Sequence, residues 1–302
     1  MHFLKVNDYK SVDILEMLDV AAKMKTLVKK GEEHKYLADK TLGMIFEKAS
    51  NRTRLSFEVG TYQLGGKTIY IQGQEIGLGV REPVADIARV LSRYVSAVMI
   101  RAKSHADIEE LAKYATVPVI NGLSDLYHPC QSIADMLTVL EVKKSLSGLK
   151  CCYIGDGNNV CNSLILIANL VGVEMIVACP KGYEPQLDAD FKIINDPKEA
   201  VRGVDVIYTD VWTSMGQEEE RAQRLKDFEA YTVNDELMSL AKPDAMFLHC
   251  LPAIRGEEVT DSVMESSQSY VFDQAENRMH GQKAVLLKLL NNEKFKELVG
   301  GE

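Results

Sequence analysis

The run Glu47-Lys48-Ala49-Ser50-Asn51-Arg52-Thr53-Arg54 follows a short apolar stretch at 42–46 and opens a helical pattern. It brings two hydroxyls, an amide and two guanidiniums to a helix N-terminus. Free backbone N–H groups and the positive end of the helix dipole favour an anion there. Arginine adds forked donors that match phosphate oxygens. By itself the run also reads as a capped helix with solvated arginines. Other apolar runs add to it. Residues 97–100 end at Arg101, residues 117–120 lead to His128-Pro129-Cys130-Gln131, and residues 270–273 lead to Glu276-Asn277-Arg278. A lone His or Gln at a helix start is usually a cap, but one phosphate-and-carbonyl site accounts for Ser50, Arg52, Thr53, Arg101, His128 and Gln131 together.

The second half carries different chemistry. Gly155-Asp156-Gly157-Asn158-Asn159 follows one apolar run, Asp210-Val211-Trp212-Thr213-Ser214-Met215-Gly216 a second, and His249-Cys250-Leu251-Pro252 a third. Amides, a carboxylate, a hydroxyl and a thiol suit a zwitterionic amino acid better than a second phosphate. Asp210 can hold an ammonium group, while Asn159 and backbone N–H groups can hold a carboxylate. The plain alternatives are a helix N-cap for Asp210 and a buried structural thiol for Cys250.

These groups need strands and helices to position them. Apolar runs at 42–46, 68–71, 97–101, 117–120, 150–154, 174–179, 204–209, 245–249 and 270–273 read as strands. Helical patterns alternate with them, and the last starts near Arg278 and runs through Leu290. Such alternation predicts α/β architecture, with two doubly wound parallel-sheet domains divided near a helix at 132–143. In open parallel sheets, ligands bind beyond the carboxyl ends of the strands.

The 302 residues suit about two domains. With 46% hydrophobic and 26% charged residues, the composition argues against disorder. No apolar run approaches the roughly 18 residues of a membrane span, and no basic-then-apolar leader opens the chain, so a cytoplasmic protein is expected. A net charge of −9 argues against nucleic acid or anionic lipid as a partner. The six cysteines include no CxxC pair, which predicts reduced thiols and no zinc site.

The runs Ser50-Asn51-Arg52-Thr53-Arg54, His128-Pro129-Cys130-Gln131, Asp210–Gly216 and His249-Cys250-Leu251-Pro252-Ala253 resemble the signatures of carbamoyltransferases. The last two resemble the ornithine branch. The likeness extends in order and spacing over nearly the whole chain. It implies the carbamoyltransferase fold: a carbamoyl-phosphate domain at 1–135, an ornithine domain at 136–279, and a C-terminal helix at 280–302 packing back on the first. It also implies a homotrimer as the minimal unit, active sites at or near subunit interfaces, and no cofactor or metal. By motif position, carbamoyl phosphate falls to Ser50, Asn51, Arg52, Thr53, Arg101, His128, Gln131, Cys250, Leu251 and Arg278. L-ornithine falls to Asn159, Asp210, Ser214 and Met215. Cys250, Arg101 and His128 carry the catalytic roles. Asn51 stands where the family commonly has Thr, and Gly77 where many bacterial members place a glutamine.

The implied reaction is attack of the ornithine side-chain amine on carbamoyl phosphate, giving L-citrulline and phosphate, with arginine biosynthesis as its setting. Cys250 is either the proton acceptor or an orienting group. Two other activities fit less of the chain. Putrescine lacks the α-carboxylate and α-ammonium that Asp210 and the Ser214-Met215-Gly216 run would hold. An NAD-dependent dehydrogenase is suggested by Gly155-Asp156-Gly157, but Val160 occupies the third glycine position and no acid follows 174–179.

Overall fold

The computed structural model describes residues 1–77, 79–213 and 218–301. The first half runs α1 (Ser11–Lys30), β1 (Thr41–Phe46), α2 (Asn51–Gln63), β2 (Lys67–Gln72), α3 (Gly73–Ile76), α4 (Val84–Tyr94), β3 (Ala97–Arg101), α5 (His105–Tyr114), β4 (Val119–Leu123) and α6 (Pro129–Lys143). The second runs β5 (Lys150–Ile154), α7 (Asn159–Val171), β6 (Glu174–Ala178), β7 (Lys192–Ile193), α8 (Pro197–Ala200), β8 (Val206–Thr209), α9 (Arg221–Asp227), α10 (Asp235–Leu240), β9 (Met246–His249), α11 (Asp261–Met264), α12 (Val271–Leu290) and α13 (Asn292–Gly300). The chain forms two units, residues 1–137 with 276–302, and residues 138–275. It crosses between them inside α6 and α12.

The sheet of the first unit has the order β2-β1-β3-β4, all parallel. Its inner strands read as continuous apolar runs because both faces are covered, and every residue of β3 is buried. Ile45, Val98 and Ile100 pack with Ile87 of α4 and with Ile108 and Leu111 of α5. The sheet of the second unit has the order β7-β6-β5-β8-β9, also all parallel. Its core joins Ile154, Ile207 and Phe247 to Trp212, Phe228 and Val271. Both sheets are doubly wound. The strand order reverses between β1 and β3 in one and between β5 and β8 in the other, and the crevices outside those strand ends are where such sheets take ligands.

Three expectations are corrected. Residues 270–273 are not a strand: the helix expected to start near Arg278 starts at Val271 and ends at Leu290, and the C-terminal helix expected over 280–302 is the end of α12 followed by a separate α13, capped by Asn291. Ser269 makes a single parallel bridge to Phe247, and the Tyr270 N–H donates to the Phe247 carbonyl. The Gln274 N–H then bonds to the Tyr270 carbonyl, so the chain has already turned helical. Val271 and Gln274 are buried while Phe272 is 63% exposed, the spacing of a helix, whereas the apolar run Tyr270-Val271-Phe272 by itself fits either element. The edge strand β7 escaped the sequence because both of its residues are exposed. Among the described residues no helix is long and apolar enough to cross a membrane.

Candidate active site

In the first unit, β1 delivers the chain to Ser50, the N-cap of α2. Ser50 Oγ accepts from the Thr53 N–H at 3.3 Å and donates to Thr53 Oγ1 at 3.2 Å. Asn51 is exposed and Arg52 half-buried in the same first turn. Arg278 lies within α12, not in a loop after a strand, and its helix aims the guanidinium at this turn. Nη1 donates to Gln131 Oε1 at 2.8 Å and Nη2 to Thr53 Oγ1 at 3.3 Å. Gln131 Nε2 donates to Asp135 Oδ1 one turn along α6, at 2.8 Å. Arg101, at the end of β3, is 7% exposed, and its carbonyl accepts from the Glu47 N–H. His128 is buried at the start of α6. Desolvation first, then the charges of Arg278, Arg101 and Arg52, hold its pKa well below the ordinary imidazole range. His128 is therefore neutral, a hydrogen-bonding group and not a cation. Burial pushes the neighbouring Cys130 thiol up to about 12, and it donates to the Asn121 carbonyl, which marks it as structural.

In the second unit, β5 and β8 end side by side. Gly155 adopts φ +138°, a backbone region closed to most side chains. A Cβ on Gly157 would lie 2.3 Å from the Pro185 nitrogen. The missing Cβ of Gly157 lets the 183–185 segment pack directly on the loop after β5, where the Gly157 N–H donates to the Tyr183 carbonyl. Asn158 caps α7, accepting from the Val160 and Cys161 N–H groups, and its Nδ2 donates to Asp210 Oδ2 at 2.9 Å. Cys250 Sγ donates to the other oxygen, Asp210 Oδ1, at 3.0 Å. No helix begins at 210–213, so Asp210 is not a cap. Asn159 is the first residue of α7.

The loop beyond β9 is held from below. His249 and Glu258 are wholly buried, with His249 Nε2 3.2 Å from Glu258 Oε1. His249 Nδ1 accepts from the Leu251 N–H at 2.8 Å, and Glu258 Oε1 from the Ile254 N–H at 2.6 Å. Leu251 is thereby fixed at φ +59°, which a leucine adopts only when its surroundings impose it. Asp210, His249 and Cys250 offer ligand atoms within 4.8 Å of one another. Both His249 nitrogens are already engaged, so a metal would have only the Asp210 oxygens and the thiol to bind.

Residues 1–141 match the family described as aspartate/ornithine carbamoyltransferase, carbamoyl-P binding domain, and residues 147–289 match its Asp/Orn binding domain. The chain belongs to the aspartate/ornithine carbamoyltransferase family. An ornithine carbamoyltransferase from Archaeoglobus fulgidus is 52% identical over 301 residues, covering 97% of this chain and 98% of that one. The anabolic ornithine carbamoyltransferase of Pyrococcus furiosus is 50% identical over 305 residues, 97% of each chain. A solved structure of ornithine carbamoyltransferase from Pyrococcus furiosus superimposes with a TM-score of 0.92 at 50% identity, covering 96% of both chains. The Thermus thermophilus enzyme gives 0.88 at 44% identity, with 95% of this chain and 98% of that one covered.

Of the carbamoyltransferase residues expected from the sequence, the first unit joins Ser50, Thr53, Gln131 and Arg278 in one hydrogen-bonded set, with the imidazole of His128 in the field of Arg278, Arg101 and Arg52. The second joins Asp210 and Cys250 directly and sets Leu251 beside them in sequence. Ser214 and Met215 lie outside the described residues. Asn158, Asp135 and Glu258 were not singled out from the sequence. Asn158 had a signal, an amide one residue before a helix pattern. Asp135 had a weaker one, four residues after Gln131 on one helix face. Glu258 had none.

Proposed function

We propose that this chain transfers the carbamoyl group of carbamoyl phosphate to the side-chain amine of L-ornithine, giving L-citrulline and phosphate. The observation that carries the reading is the pair of polar sets at the two sheet reversals, in a chain half identical to ornithine carbamoyltransferases. We assign carbamoyl phosphate to the first unit and ornithine to the second.

In this reading Ser50, Asn51, Arg52 and Thr53 cradle the phosphate at the N-terminus of α2, where dipole and N–H groups add to the guanidinium. Arg101 and Arg278 neutralise charge as the phosphate leaves. His128, neutral and buried, donates to the carbonyl oxygen as it becomes tetrahedral, with Thr53 and Arg101 as further donors and Gln131 beside them. The amine nitrogen bonds to the carbonyl carbon, the bond to the phosphate oxygen breaks, and the proton that the nitrogen loses goes to the departing phosphate. That amine must arrive neutral, although an alkylammonium titrates near about 10.4 in water. Cys250 orients it, together with the Leu251 carbonyl. A thiol that already donates to the Asp210 carboxylate is poorly placed to become a thiolate. Asp210, Asn159, Ser214 and Met215 hold the amino-acid end of ornithine.

Leu55, Val59 and Tyr62 are 57%, 41% and 78% exposed along one face of α2, and Ile69 of the edge strand β2 is 48% exposed. This apolar face supports a homo-oligomer; the trimer as its smallest form rests on the likeness to carbamoyltransferases alone. All six cysteines are free thiols and five are buried, which suits a reducing cytoplasm. The relative named anabolic favours the arginine-forming direction for this chain. The deciding experiment compares kcat/KM for ornithine and putrescine with carbamoyl phosphate as donor. Ornithine is expected to win by at least about a hundredfold, because putrescine leaves the amino-acid contacts unmade. A preference for putrescine would overturn the assignment.

A further inference from the structure

Arg224 is a charged side chain, 6% exposed, that the sequence did not single out. It stands on α9, yet its bonds reach two separate loops. Nη1 donates to Asp156 Oδ2 at 2.9 Å and to the Trp212 carbonyl, also at 2.9 Å. Asp156 lies in the loop after β5, two residues before Asn158. Trp212 lies in the loop after β8, two residues past Asp210. Nε donates outward to Glu220 Oε2 at 2.9 Å, and the guanidinium lies 5.0 Å from the centre of the Tyr183 ring. Tyr183 in turn accepts from the Gly157 N–H through its carbonyl and bonds Asp227 through its hydroxyl.

We infer that Arg224 is a positioning residue for the amino-acid substrate, clamping together the two loops that carry Asn158, Asn159 and Asp210. One nitrogen shared between a carboxylate and a carbonyl fixes their separation, which a lysine, bonding through a point charge, does less well. The cation also lies between acids. Without it, the buried Asp156 carboxylate would face Asp210 uncompensated, and the strands' end loops would part. This rests on the assignment of ornithine to the second unit.

The test is steady-state kinetics on Arg224→Met, Arg224→Lys and the double variant Arg224→Met with Asp156→Asn. Arg224→Met is expected to raise the KM for ornithine at least about tenfold, while the KM for carbamoyl phosphate stays within about twofold. Arg224→Lys should recover part of the loss. The double variant removes the lone buried charge, so it keeps the protein folded, yet its ornithine KM should stay high because the clamp is still absent. An ornithine KM within about twofold of wild type in the folded double variant, or equal changes in both KM values, overturns the inference. A wild-type protein that makes no citrulline from ornithine overturns the parent assignment as well, so the two failures are distinct.

Discussion

Replacing Lys283 with methionine changes how the stability of this protein depends on pH. The Lys283 side chain is wholly buried on α12, where Nζ donates to Gln63 Oε1 at 2.9 Å and lies 3.1 Å from His34 Nε2. Among the described residues no carboxylate pairs with it. His34 Nδ1 faces the Glu32 carbonyl, so Nε2 is the acceptor, and burial keeps this imidazole below its usual range. Desolvation brings the Lys283 pKa down from 10.5 to about 8. Below about pH 8 the ammonium is charged in both the folded and unfolded chains, and the native state carries the full desolvation penalty. Between about pH 8 and 10.5 the unfolded chain holds a proton that the folded chain has released, so stability rises with pH. The gap between 10.5 and about 8, at about 1.36 kcal/mol per pH unit, sets a ceiling of roughly 3 kcal/mol. Lys283→Met deletes this titration but leaves Gln63 Oε1 and His34 Nε2 without their donor, so its stability near pH 7 changes less than its pH profile. Urea unfolding followed by far-ultraviolet circular dichroism, from about pH 7.5 to 10.5, should show wild type gaining about 2–3 kcal/mol on the variant. Parallel profiles would refute the reasoning, because they would mean that Lys283 titrates alike in both states.

Arg101→Leu should leave the fold intact and lower kcat by about a hundredfold or more, as loss of a donor to developing charge does; near-native turnover would remove Arg101 from the mechanism. Cys250→Ser keeps a hydroxyl to donate to Asp210, so kcat should fall by no more than about tenfold if the group only orients the amine. A collapse beyond about a thousandfold in the pH–rate profile would make Cys250 the base instead. Tyr62→Glu places a charge on the exposed apolar face of α2, and size-exclusion chromatography with light scattering should show a shift to smaller species. An unchanged mass would exclude that face from the assembly.

The motif at 50–54 was legible because its chemistry is local. Ser50 caps the helix whose first turn holds Asn51, Arg52 and Thr53, and a hydrogen bond three residues long can be read from order alone. The strand ends at Arg101 and Asp210 were legible for the same reason, since buried parallel strands are unbroken apolar runs. The stretch 270–278 was misread because Tyr270-Val271-Phe272 is a short apolar run that a strand and a helix share, while the bond that settles the matter depends on what Tyr270 meets across space. The clamp made by Arg224 was invisible because the two loop partners it joins stand 68 and 12 residues away, and its local pairing with Glu220 looks like any helix-surface ion pair.

The sequence alone determined which functional groups this protein owns and that two parallel sheets must carry them, because periodicity and local capping depend on near neighbours. Only the tertiary structure decided which distant groups meet: Arg278 on Thr53 and Gln131, Cys250 on Asp210, Glu258 beneath His249. The reason is physical. Where the order of strands reverses is set by how whole helices cover whole sheets, and within each unit that packing brings together residues whose separation along the chain carries no signal of their contact.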